Sequence, residues 1–133
     1  MAQKYLYEKP FKDRRCFNQR KRESESISAK YPDKVPVIIY LIIERYKSEK
    51  ALPVLEKMKY LVPSDMTVGM LSNVIRKRLQ LNSSQSLFLL INSRNICSSS
   101  LTLLDVYREE KDEDGFLYIV YASQEVFGSY INF

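Results

Sequence analysis

Between Val35 and Ile43 the chain runs nine residues without a charge, with Pro36 and Tyr40 set among valine, isoleucine and leucine. β-Branched aliphatics in such a run, flanked by prolines and charges, predict a central strand buried on both faces. Met58 to Val62, bounded by Pro53 and Pro63, predicts a second strand, and the polar stretch from Glu44 to Leu52 predicts the long turn of a hairpin. Pro63 suits a sheet edge, where its missing backbone donor does no harm. From Thr67 to Leu81, Val68, Leu71, Val74, Ile75 and Leu79 recur at three- and four-residue spacing, the signature of an amphipathic helix. Ser64, Asp65 and Thr67 are its N-cap candidates, and Arg76, Lys77 and Arg78 suit the negative pole of its dipole. Leu87 to Ile91 predicts a strand, Leu101 to Tyr107 a short helix, and Phe116 to Tyr121 a last strand launched from the Asp114-Gly115 turn. Hairpin, helix, strand, short helix, strand is an α+β order: a mixed sheet with a helix crossing one face.

The first part of the chain carries no comparable apolar period. Phe11, Arg15 and Asn18 or Gln19 share one side of a first helix, and Glu23 to Lys30 predict a second, ended by Tyr31-Pro32. Two short polar helices within about residues 1–32 are the expectation. Ser24, Ser26 and Ser28 alternate along the second with no function assigned to them.

Composition changes this picture in three ways. A chain of 133 residues, 45% apolar and 28% charged, fits one folded domain. Its longest apolar run is far short of the roughly 20 residues that cross a bilayer, and Met1 to Arg15 lacks the apolar core of a signal peptide, so cytoplasmic residence is expected. Histidine is absent, which removes the usual general base, the Ser-His and Cys-His pairs and most zinc sites. An enzyme, a metal site or a cofactor is therefore not expected. Cys16 and Cys97, 81 residues apart, read as buried thiols, and the acidic cluster Glu109, Glu110, Asp112, Glu113 and Asp114 reads as a solvated turn.

Residues 1–34 hold ten Lys or Arg against five Asp or Glu, while residues 35–133 hold eleven of each, so the net charge of +5 belongs to the N-terminal quarter. The run Lys12, Arg14, Arg15, Arg20, Lys21 and Arg22 is either a solvated helix face or a surface for acidic partners such as tubulin tails or RNA.

Seven stretches carry a family resemblance: Phe11-Lys-Asp-Arg-Arg15, Lys34-Val-Pro-Val-Ile-Ile39, Glu44-Arg-Tyr-Lys47, Leu52-Pro-Val-Leu55, Lys59-Tyr-Leu-Val-Pro63, Arg76-Lys-Arg-Leu-Gln-Leu81 and Lys111 to Gly128. They resemble the ubiquitin-like modifiers of autophagy, and among those the microtubule-associated protein light chain three branch. The resemblance implies a ubiquitin-like β-grasp fold preceded by two helices, occupying residues 1–128, with 129–133 a tail removed by a cysteine protease. It implies passage of Gly128 through activating and conjugating enzymes to an amide with phosphatidylethanolamine on the autophagosome membrane. A residue without Cβ threads a narrow active site and leaves its carbonyl open to attack.

The resemblance further implies that a monomer binds cargo receptors and adaptors through aromatic-x-x-aliphatic peptides added to an edge strand. Glu23, Ile27, Pro36, Ile38, Lys59, Leu61 and Phe116 would line the aromatic pocket. Tyr60, Val62, Pro63, Leu71, Val74 and Ile75 would line the aliphatic one, although Leu71, Val74 and Ile75 read equally as plain core. Arg14, Arg15, Lys57, Lys59 and Arg78 would form an electrostatic rim.

One departure stands out. Family members run from Pro-Val-Ile-Ile directly into Glu-Arg-Tyr-Lys, whereas here Tyr40-Leu-Ile-Ile43 intervene. Four extra residues keep the two faces of a strand in phase. They are expected to lengthen the hairpin or bulge, exposing aliphatic surface near the peptide groove, with Ile42 competing for the place of Ile38.

Overall fold

The computed structural model describes residues 9–30, 38–92, 94–95 and 98–124. Pro36, Cys97, Gly128, the 129–133 segment and the start of the predicted first strand lie outside the described residues. The elements run α1 (Phe11–Arg14), α2 (Phe17–Lys30), β1 (Ile38–Arg45), β2 (Lys59–Pro63), α3 (Val68–Leu79), β3 (Phe88–Ile91), β4 (Arg94–Asn95), α4 (Leu103–Glu110) and β5 (Leu117–Ala122). They form one sheet in the order β2-β1-β5-β3-β4. β1 pairs parallel with β5, and every other pairing is antiparallel. This is the mixed sheet with a crossing helix that the pattern predicts, with β2 on its edge. The two-residue β4 was missed because two residues show no alternation.

Period-two alternation gives the sheet two different faces. Ile39, Leu41 and Ile43 of β1, Tyr60 and Val62 of β2 and Leu117, Ile119 and Tyr121 of β5 turn toward α3 and α4, joining Val68, Leu71, Ile75, Leu79, Leu103 and Val106 in the main core. Thr67 caps α3 by accepting a hydrogen bond from the Met70 amide at 3.1 Å. Gln80, in the left-handed conformation at φ 57°, ends it.

The opposite face is covered over one end by α1 and α2. There Phe11, Ile42 and Phe116 form a smaller buried cluster, with Phe11 edge-on to Phe116 at 5.5 Å. α2 holds this position with polar groups. Its buried residues are Arg20 and Ser24, one turn apart. Arg20 Nη1 donates to Asp114 Oδ2 at 2.6 Å, the Tyr118 hydroxyl donates to the same oxygen, and Ser24 Oγ donates to the Asp114 carbonyl. Asp114 itself is completely buried and accepts from the Phe116 amide at 2.9 Å. Burial would lower the Arg20 pKa, but the bonds to Tyr118 and Asp114 outweigh it and raise it. Burial first, and then the bond to Asp114, raise that of Tyr118.

Four expectations need correction. The acidic cluster is not a solvated turn: Glu109 and Glu110 end α4, and Asp114 is the buried anchor of α2. Gly115 in that turn has φ +95°, and a Cβ there would lie 2.5 Å from Ser24 Oγ, so docking of α2 requires glycine. The break between the first helices falls at Arg15–Cys16 rather than near residue 20, because the Gln19 side chain accepts from the Cys16 amide at 3.0 Å, half of a capping box. Cys16 is exposed, not buried. Finally, residues 40–43 neither bulge nor expose aliphatic surface. They sit inside β1, whose ladder with β2 is continuous from Ile38↔Pro63 to Ile42↔Lys59. Leu41, Ile42 and Ile43 are at most 1% exposed.

Candidate functional site

β2 is short, antiparallel to β1 and paired on one side only among the described residues, so its outer backbone groups face a free edge. Its burial alternates: Tyr60 and Val62 are buried against the α3 core, while Leu61, 49% exposed, and Pro63 point away. The edge therefore lies between two surfaces, one under α2 and one beside α3.

On the α2 side, Phe116 and Ile42 form a floor with Phe11, and Ile27, Tyr40 and Met58 pack around it. Lys59 reaches from β2 to Glu23 of α2 in a 2.7 Å ion pair, with its Nζ 5.2 Å from the centre of the Phe11 ring. The lysine side chain is 41% exposed and that of the glutamate 26%, so water screens the pair and a ligand displaces it at small cost. Of the residues expected here, Glu23, Ile27, Lys59, Leu61 and Phe116 come together. Ile38 does not, and Pro36 lies outside the described residues. Ile38 is on the same face as Ile42 but opposite Pro63, four strand residues or about 13 Å away. Ile42, which competes with Ile38 for this place, lies opposite Lys59, and Tyr40 lies opposite Leu61. The displacement is four residues, the length of the insertion.

On the α3 side, Tyr60, Val62, Leu71 and Ile75 are core residues at 7%, 7%, 1% and 0% exposure, and Val74 is half-buried. Pro63 falls on the Leu61 side by the strand's alternation. Lys57 Nζ lies 5.8 Å and the Arg78 guanidinium 5.3 Å from the centre of the Tyr60 ring. Burial raises the Tyr60 pKa, and the charge of Arg78 opposes that shift.

The rim is basic. Arg14, Arg15, Lys57 and Lys59 surround an open cavity of about 530 Å³ floored by Phe11 and Met58. Arg14 is oriented by Nε donating to the Lys9 carbonyl at 2.8 Å and Nη2 to Met58 Sδ at 3.2 Å. Of the other members of the N-terminal basic run, Lys12 pairs with Asp112 at 2.6 Å, Arg20 with Asp114 and Lys21 with Glu25 at 3.6 Å, while Arg22 is exposed.

Comparison with known proteins agrees with this fold. The family described as autophagy protein Atg8, ubiquitin like, matches residues 19–128. Protein lgg-2 of Caenorhabditis elegans is 45% identical over 118 residues, covering 89% of this chain and 88% of its own length. Microtubule-associated protein 1 light chain 3 gamma of Homo sapiens is 43% identical over 120 residues, covering 90% and 79%. The crystal structure of ATG8 from Trypanosoma brucei superposes with a TM-score of 0.76 at 33% identity, covering 89% of this chain and 97% of that one.

Proposed function

The chain belongs to the Atg8 family of ubiquitin-like autophagy proteins, and from that premise we propose that it is a modifier joined through Gly128 to phosphatidylethanolamine on autophagic membranes, where it captures aromatic-x-x-aliphatic peptides of cargo receptors and adaptors. The position of β2 carries the peptide-binding half. Side chains three residues apart in an extended peptide point to opposite faces. A strand added to β2 thus sends its aromatic residue toward Phe116, Ile42 and Tyr40 under α2, and its aliphatic residue toward Val74, Leu71 and Tyr60 beside α3. Arg14, Arg15, Lys57 and Arg78 attract acidic residues of the same peptide, raising the encounter rate more than the affinity.

The conjugation half rests on the family and on the run Lys111 to Gly128. A processing cysteine protease exposes Gly128, activating and conjugating enzymes carry it as a thioester, and the protein moves from the cytoplasm to the autophagosome membrane. No helix among the described residues is long and apolar enough to cross a membrane.

The second reading, a basic cytoskeleton- or RNA-binding accessory, needs a free cationic N-terminal face. Lys12, Arg20 and Lys21 already have carboxylate partners in the chain, which weakens it. A titration with a Trp-x-x-Leu peptide tests the groove: Leu61→Ala lowers affinity about fivefold with the melting temperature unchanged. Equal affinity for wild type and for variants on both sides of β2 would exclude strand addition there. Gly128→Ala abolishes membrane association and leaves peptide affinity unchanged.

A further inference from the structure

Glu49 lies in the β1–β2 connection and is only 2% exposed. No salt bridge to it is found among the described residues; three backbone amides surround it instead. Oε2 accepts from Ala51 at 2.9 Å and Leu52 at 3.0 Å within its own loop, and Oε1 accepts from Ser123 at 2.7 Å, just beyond the end of β5. The same loop grips β5 at further points. The Tyr46 amide donates to the Tyr121 carbonyl at 2.9 Å, and the Tyr121 hydroxyl accepts from the Leu55 amide and donates to the Pro53 carbonyl. From a second loop, Ser86 Oγ accepts from the Gln124 amide at 2.7 Å. Ser123 is 6% exposed, and its buried hydroxyl has no hydrogen-bond partner among the described residues. An unpaired buried hydroxyl is costly, so another contact must keep Ser123 in place.

We propose that Glu49 is a positioning residue for the processing and conjugation of Gly128: its carboxylate clamps the root of the C-terminal segment at Ser123 and sets the direction in which that segment leaves the domain. This rests on the reading of Gly128 as the scissile and conjugated residue. Gly128 lies five positions after Ser123, a reach of at most about 17 Å. On so short a tether, a root turned by about 30° carries the glycine several ångströms from where an enzyme docked on the folded domain holds its nucleophile, and ångström misplacements cost orders of magnitude in rate. The carboxylate suits the task because it accepts several N–H groups at once with charge-assisted strength.

Two variants test the clamp. Glu49→Gln keeps the shape but replaces one acceptor oxygen with a donor. Ser123→Pro removes the amide at the root, along with the Ser123 hydroxyl and the freedom of φ there, and leaves the two loop bonds. For each, kcat and KM are measured for hydrolysis of the Gly128–Ser129 bond of the full chain by the processing protease, beside affinity for the Trp-x-x-Leu peptide. The expected result is a fall of about tenfold in kcat/KM for both variants, with peptide affinity within twofold of wild type and faster amide exchange at Gln124. Cleavage of both variants at the wild-type rate overturns the proposal, as does a parallel loss of peptide affinity, which would make Glu49 a general structural residue. If the protease leaves the wild-type chain intact, the reading of Gly128 fails, and the role of Glu49 in processing fails with it.

Discussion

The two faces of one sheet are held by different physics. Toward α3 and α4 the contacts are aliphatic: Ile119, Leu117, Leu103 and Ile75 are all at 0% exposure. Toward α2 the attachment is polar, a buried carboxylate shared by an arginine and a tyrosine with a serine on the adjoining carbonyl. The apolar face makes the domain. The polar clasp places a removable layer over it, and that layer carries Glu23 and Ile27 of the proposed aromatic pocket. Stability and recognition are therefore separable by mutation.

The largest expected effect is on the apolar face. Ile119→Ala costs about 4 kcal/mol and lowers the melting temperature by roughly 15 °C, while the folded fraction keeps its peptide affinity within twofold. Asp114→Ala costs less overall, about 3 kcal/mol, because it leaves Arg20 without its partner. Its effect is concentrated in α2, whose amides lose exchange protection while peptide affinity falls at least tenfold. Equal effects of the two variants on stability and on affinity would remove the distinction between the faces.

Deleting residues 40–43 is expected to do less. Pro36-Val-Ile-Ile39 then moves into the register of Tyr40-Leu-Ile-Ile43, so Ile42 and Ile43 are replaced by isoleucines, Leu41 and Ile39 by valines and Tyr40 by proline. The loss of two buried methylenes and of the half-buried Tyr40 ring costs about 2 kcal/mol, or roughly 7 °C in melting temperature. A drop of more than about 10 °C would show that the insertion has become essential to the sheet.

Acid gives the smallest effect. Burial would raise the Asp112 pKa, but its bonds to Lys12 and to the Asp114 amide, with the charges of Lys12 and Arg20, hold it below its ordinary value of 3.8. A carboxylate lowered by folding stabilises the native state above its unfolded pKa, and that contribution fades as pH falls through the folded value. Below about pH 4 the N-terminal layer loosens by no more than about 1 kcal/mol, and Asp112→Asn abolishes this pH dependence. An unchanged acid profile in Asp112→Asn would show that another group titrates.

What was legible in the sequence follows the same division. α3 and the strands β1, β2, β3 and β5 announce themselves through apolar spacing, because aliphatic burial leaves a period of 3.6 or 2. α2 does not: its inward residues are Arg20 and Ser24, which read as basic surface and an exposed serine until Asp114 is seen beneath them. Glu23, Lys59 and Phe116, expected together from the resemblance, do lie together on the α2 side of β2. Tyr40 and Ile42 were displaced from expectation because register is decided by pairing with β2, and a four-residue insertion leaves the alternation unchanged. Glu49 gave no signal, since three backbone amides have no sequence signature.

The most direct test of the central claim is the intact mass of the protein recovered from cells with active autophagy. Loss of residues 129–133 with the added mass of one phosphatidylethanolamine in the membrane fraction, both absent in Gly128→Ala, is the expected result. A full-length, unmodified chain in every fraction would contradict it.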